Sequence, residues 1–297
     1  MRPSRPSLTA TLVAGVRALY AAFPEGLRAA PDPEVLALLP PVLRVPARAV
    51  AAFPWLSPPV HKALGAVTLG VTWHVALRTL AIDDAVREAV SLGTRQIVLL
   101  GAGLDNRAGR LPEVSTLRVF EIDHPDMQSY KRERIHASFA GAGQRVFVPV
   151  NFESDSLSGA LSQAGFSSRE PAFWIWEGVT PYLTRQAVLA TLRTVFDQSA
   201  PGSRLAVTYM RPAEDTGQAF DRLTSFLGAL IGEPVFARYG REEMAQLVTE
   251  LGFSLLSDEA DTDFAARYWK DPPDVRPRSM HLFPEWERLA IVERGSP

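Results

Sequence analysis

Cysteine is missing from all 297 residues, so the chain has no disulfide, no thiolate metal site and no cysteine nucleophile. Histidine is scarce, at five residues, and no two stand in an HxxxH pair, which removes the usual basis for a zinc site. Excess charge of one sign is also lacking. A formal net charge of −2 gives no overall field to draw nucleic acid or an anionic membrane. No segment approaches the roughly 18 consecutive apolar residues of a membrane span. The opening MRPSRPSLTATLVAG lacks an apolar core of signal-peptide length. Repeats and low-complexity tracts are absent as well. These gaps lead to the expectation of a cytoplasmic protein whose partner is a small molecule, with neither nucleic acid nor membrane involved. They leave the oligomeric state open.

What is present is an ordinary globular composition, 46% hydrophobic and 22% charged, with its prolines unevenly placed. They cluster from Pro24 to Pro59 and break an apolar stretch into short helical pieces such as 33–39 and 42–53. Residues 1–92 read as a helical cap. A longer helical pattern follows from Val60 to Val90, with Asp83 and Asp84 placed to open its second helix. Strand patterns then alternate with helical ones at 96–100, 117–122, 145–150, 172–176 and 204–209, the rhythm of a parallel sheet with helices on both faces. A strand at 253–257 and an apolar run at 288–292 suit a closing antiparallel hairpin. The expected division is a cap over 1–92 and a Rossmann-like α/β domain over 93–297.

The chemistry concentrates where strands end. QIVLLGAGLDNR, from Gln96, is a buried strand running into Gly101-Ala102-Gly103, where missing side chains let the backbone turn tightly beside a ligand. VFEID then ends a second strand on Asp123. In a parallel sheet both ends share one edge, so the Asp123 carboxylate can accept hydrogen bonds from the two hydroxyls of a ribose. The sixth position of the turn is Asn106 and not glycine, which favours S-adenosylmethionine over a dinucleotide and leaves a nicotinamide oxidoreductase as the alternative. Two further strand ends follow. VFVPVNF presents Asn151 and Phe152, an amide and a ring suited to an adenine. FWIWEGVTPYL presents Glu177 and Gly178, a carboxylate suited to an α-amino group, and then Tyr182. The bland readings are a loop-capping asparagine, a salt-bridged glutamate and a core tyrosine.

LRTLAIDDAV, QIVLLGAGLDNRAGRL, VFEIDHPDMQSYKRERI and WEGVTPYL, in that order, resemble the leucine carboxyl methyltransferase family. The bacterial branch similar to tetracenomycin-type polyketide carboxyl O-methyltransferases is the nearest in pattern. The likeness spans about residues 74–210. It implies a class I S-adenosylmethionine-dependent methyltransferase fold with a helical lid. It also implies roles: Arg78 for the cofactor's methionine carboxylate, Gly101 for the methionine portion and Asp123 for the ribose. Asn151 and Phe152 fall at the adenine and Glu177 at the amino group, although the family commonly has aspartate where Asn151 stands. The proline-rich region before Arg78 lacks the aromatic-glycine pattern of phosphatase-modifying members, so a small natural-product acceptor is expected.

A carboxylate acceptor is already anionic and needs no general base, so alignment and exclusion of water carry the reaction. This agrees with the absence of an evident His-Asp dyad. A hydroxyl acceptor would need a base, for which His61, His74, His124 and Tyr182 are the candidates. A scaffold that binds the cofactor without turnover is the non-enzymatic alternative.

Overall fold

The computed structural model describes residues 7–24, 32, 34–135, 144–218, 222, 225, 232–269 and 285–295. Seven strands form one sheet in the order β3-β2-β1-β4-β5-β7-β6. They are β1 Gln96–Leu100, β2 Arg118–Asp123, β3 Gln144–Pro149, β4 Ala172–Trp176, β5 Arg204–Met210, β6 Phe253–Glu259 and β7 Glu287–Arg294. β1 pairs in parallel with both β2 and β4. β7 runs antiparallel between β5 and β6. The expected C-terminal antiparallel pair is therefore present, joined through the helix Asp261–Tyr268 instead of a tight turn. β1 and β4 are buried at every position, which is why their sequences are unbroken apolar runs and do not alternate.

The N-terminal helices are α1 Leu8–Ala21, α2 Val35–Leu38, α3 Pro41–Ala52, α4 Ser57–Val67 and α5 Val71–Ser91. α1 packs on α3, and both α1 and the helix Asp261–Tyr268 pack on α5. Trp73, Leu77, Ile82 and Val86 of α5 share one apolar core with Ile97 and Leu99 of β1 and with Phe173 and Ile175 of β4. The core is thus continuous across residue 92, and α5 is the helix that seats the N-terminal layer on the sheet.

One element departs from its sequence reading. α5 runs unbroken through Asp83 and Asp84. The break falls earlier, at Leu69 and Gly70, both with positive φ (50° and 83°). Asp83 does not cap a helix. It is wholly buried, accepting from Arg107 Nε at 2.8 Å and from Arg110 Nη1 at 2.5 Å. A carboxylate paired with two arginines is tolerated inside a helix and inside a core. The proposed helical piece at 33–39 is α2, and the part of it at Pro33 lies outside the described residues. The sequence from Pro125 to Phe139 carries a helical pattern; Pro125–Arg132 of it is helix, and residues 136–139 lie outside the described residues.

Among the described residues no single helix is long and apolar enough to cross a membrane. The one bent pair that passes on length and composition joins Pro54–Val67 to α5, which is a core helix.

Candidate functional site

The C-terminal ends of β1, β2, β3 and β4 open on one cavity of about 720 Å³. Its wall includes every residue expected at the cofactor, and Tyr182: Arg78, Gly101, Ala102, Gly103, Asp123, Asn151, Phe152, Glu177, Gly178 and Tyr182. The open edge of a parallel sheet is where side chains from separate strands converge.

Gly101 and Ala102 donate their N–H groups to Ile122 O, at 2.8 and 2.9 Å, tying the glycine turn to the end of β2. Gly101 has φ +70°, and a Cβ there would overlap Val179. Gly103 has φ +48°, and its N–H donates to Asp123 Oδ2 at 2.5 Å. The His124 N–H donates to Asp123 Oδ1 at 2.6 Å. Burial pushes the Asp123 carboxyl above its ordinary value, and these two amides oppose that rise. Two lone-pair directions remain on the carboxylate, enough for a pair of hydroxyls. Asn151 Oδ1 accepts from the Glu153 N–H at 3.0 Å, so the amide oxygen caps its own loop.

Glu177 is the centre of a buried charge cluster. Arg17 Nη2 donates to Oε1 at 2.7 Å and Arg78 Nε to the same oxygen at 3.0 Å. Arg107 Nη1 donates to Oε2 at 2.7 Å and also pairs closely with Asp105. Burial alone would raise the Glu177 carboxyl; Arg17, Arg107 and Arg78 outweigh it and hold the group well below the usual carboxylate range. Arg78 in turn pairs closely with Glu287 of β7, whose Oε2 lies 2.6 Å from His74 Nε2. Burial is again the largest influence on Glu287, and Arg78 and His74 together reverse it, lowering the carboxyl to about 2.

The resemblance implies that Arg78 and Glu177 hold opposite ends of a methionine, one from the cap and one from the sheet. The structure joins them directly. A methionine α-carboxylate and α-ammonium would therefore meet an ion pair already formed, and would share its groups with Arg17, Arg107 and Glu287. Sequence reading missed these three and Asp105. Asp105-Asn106-Arg107 was legible only as a departure from a glycine pattern. The departure has a physical reason: Asn106 Nδ2 donates to Asp32 Oδ1 and Glu34 Oε2, and its Oδ1 accepts from Arg145. An amide at the sixth position stitches the N-terminal layer to β3, which glycine could not do.

Of the candidate bases, His61 and His74 are fully buried and do not line the cavity; His61 stacks on Trp73. His124 lines it and caps the helix Pro125–Arg132. Burial raises the Tyr182 phenol, with a Thr9 hydrogen bond opposing, so it stays protonated and serves as a donor.

The leucine carboxyl methyltransferase family model matches residues 10–196. A protein from Parafrankia sp. (strain EAN1pec), provisionally named an S-adenosyl-L-methionine-dependent methyltransferase, is 38% identical over 157 residues, 52% of this chain and 50% of that relative. A Mycobacteroides abscessus protein with the same provisional name is 31% identical over 283 residues, 92% of this chain and 90% of the relative. The chain spans about half the length of several curated relatives that it matches, 50% and 49% in two of them. A solved structure of a provisionally assigned methyltransferase from Thermobifida fusca YX superposes with a TM-score of 0.59 at 17% identity, over 99% of this chain and 96% of that one. That likeness shows the fold, a class I α/β methyltransferase fold. The relatives' names agree with S-adenosylmethionine as cofactor and not with a nicotinamide. By the extent of the family match, this chain belongs to the leucine carboxyl methyltransferase family.

Proposed function

We propose that this chain is an S-adenosylmethionine-dependent O-methyltransferase for a small, largely apolar, polyketide-like acceptor. The observation that carries the reading is the single cavity, which the glycine turn, Asp123 and Glu177 share with Val71, Val75, Met210, Phe236 and Trp286. A donor and an apolar acceptor then occupy one enclosure. The residues present fit the cofactor: a turn where Cβ atoms are excluded, a carboxylate with open lone pairs for a ribose, and a charged cluster for a zwitterion. When bound, the cofactor supplies a methyl group on a sulfonium, open to in-line displacement. Asp123 orients the ribose, Asn151 and Phe152 the adenine, and Arg78 with Glu177 the methionine. Tyr182 donates a hydrogen bond and positions the acceptor. Residues of α1, Ala10 and Val13 among them, roof the cavity and exclude water.

A carboxylate acceptor fits the family resemblance and requires no base. One observation favours a hydroxyl acceptor as the second reading. Ser7 Oγ donates to Glu233 Oε1 at 2.6 Å, while the buried Oε2 has no partner among the described residues. An open carboxylate oxygen in the cavity wall can take the proton an alcohol or phenol brings. The two readings separate in turnover assays with matched acceptors differing only in carboxyl or hydroxyl. Carboxyl methylation should survive Glu233→Gln; hydroxyl methylation should fall by about 10²–10⁴-fold, the usual weight of a general base. Binding of S-adenosylhomocysteine with no turnover on either series would leave only a cofactor-binding scaffold.

A further inference from the structure

The chain-wide charge of −2 hides a local imbalance. Between Glu34 and Asp83 the sequence holds no carboxylate, whereas Arg44, Arg48, Lys62 and Arg78 all fall in that interval. Most of the interval is the outer layer of the cap: α3, the turn Pro54–Leu56 and α4. Its outward residues are apolar to an unusual degree. Val42 and Trp55 are each 72% exposed and Val67 is 82% exposed; Val45 and Phe53 are more than half exposed. An indole left this far in water forgoes most of its transfer free energy, and a set of such side chains along one short stretch of chain is what a docking face requires. Helical spacing gathers them. Val42, Val45 and Ala52 lie on the side of α3 away from buried Ala47 and Val50, and Pro59, Lys62 and Ala66 lie on the side of α4 away from buried His61 and Gly65. Arg48 and Lys62 are exposed within this face.

We infer that this face docks on the interface of an anionic lipid bilayer. Charge decides between the possible occupants. A second copy related by a two-fold axis would set the patch against itself, bringing Arg48 and Lys62 towards their own counterparts with no carboxylate among residues 35–82 to meet them. Anionic headgroups supply the missing sign. Tryptophan and phenylalanine settle at the headgroup boundary, and lysine and arginine reach out of it along their apolar stems. The expectation of no membrane contact, drawn from net charge, averaged this patch with the acidic remainder. The cavity adds a reason for the location. α1 packs on α3, and Leu12 of α1 both lines the cavity and is 48% exposed. α1 thus borders both the cavity and the helix that carries the docking face, a route by which an apolar acceptor dissolved in lipid would enter; this last link rests on the proposed function, and the docking does not.

The test is sedimentation of the full chain with phosphatidylcholine vesicles, with and without roughly one-third phosphatidylglycerol, in the absence of cofactor. Binding is expected to the anionic vesicles and to be lost at high salt. Arg48→Glu with Lys62→Glu should cut partitioning by about fivefold per residue or more, the usual effect of one cation at such a surface. Phe53→Ser with Trp55→Ser should abolish binding. None of the four lines the cavity, so each variant should keep the wild-type melting transition and the wild-type affinity for S-adenosylhomocysteine. Wild type that sediments equally with and without vesicles overturns the inference, as do charge reversals without effect. A dimer in solution that Trp55→Ser dissolves would assign the face to a second copy and overturn it too. Failure of S-adenosylhomocysteine to bind would count against the proposed function alone.

Discussion

Two backbone amides, from Gly103 and His124, hold the Asp123 carboxylate in place before any ligand reaches it. The cost of fixing the side chain is met on folding, and a ribose would find both oxygens oriented. Replacing Asp123 by alanine should weaken S-adenosylhomocysteine binding by about 1.5–3 kcal/mol if two charge-assisted hydrogen bonds are lost. Calorimetric titration measures this directly, and unchanged affinity would remove the ribose assignment. Arg78 makes the opposite point. Its guanidinium is engaged on both sides, by Glu177 and by Glu287, so its charge is balanced before a ligand arrives. A single arginine in a helix pattern showed that a cation was available, but which carboxylates hold it depends on contacts with residues 177 and 287, which no local pattern encodes.

Among the elements, the junction of α4 and α5 shows how one small residue sets a packing angle. The two helices meet through Leu69 and Gly70, and the Trp73 indole lies against the backbone of Gly65. Trp73 Nε1 donates to His61 O at 3.1 Å, and its ring stacks on His61, so it has no free direction in which to retreat. A Cβ at position 65 would overlap that ring. Gly65→Ala should therefore destabilise the protein by about 1–3 kcal/mol or more, in spite of the better helix propensity of alanine. Chemical denaturation reads the loss; a stabilised variant would mean that α4 can shift away from α5. The strands and their order of appearance were legible because apolar runs of strand length, bounded by turns, repeat at regular intervals. The break at Leu69 and Gly70 was not. Asp83 and Asp84 look like a helix start when read alone; only Arg107 and Arg110 explain Asp83 in mid-helix, while Asp84 is exposed and pairs with Arg87 of the same helix.

At the scale of the whole molecule, the sheet edge was legible in the sequence and the charge cluster beneath it was not. Glycines, an acid at a strand end and a strand-terminal Glu-Gly are local signals. Arg17, the pair Asp105 and Arg107, and Glu287 come from three distant segments and acquire meaning only in contact. Their combined effect is a stability profile with two opposing windows. Glu177, Asp105 and Glu287 have lowered carboxyl values in the folded protein, because nearby arginines, with His74 at Glu287, outweigh burial. Their contribution is fully present above the unfolded values of about 4 and is lost as pH falls through the folded ones, reaching about 2 for Glu287. Asp32, Asp123 and Asp261 are raised, chiefly by burial. For these the folded state binds protons more readily, so they favour the folded state as pH falls from neutral towards 4 and lose that contribution as pH rises through their folded values. The unfolding free energy should accordingly hold level or rise slightly from pH 7 to about 4.5 and drop steeply below it. Glu287 alone accounts for about 3 kcal/mol of that drop once pH has fallen to its folded value of about 2, and for roughly 2 kcal/mol of it by pH 3. Glu287→Gln should lower stability at neutral pH and flatten the acid limb. Urea midpoints taken from pH 7 to 3 test both features. An acid limb as steep in the variant as in wild type would show that Glu287 is not held low by Arg78 and His74, and that another carboxylate of the cluster governs the transition.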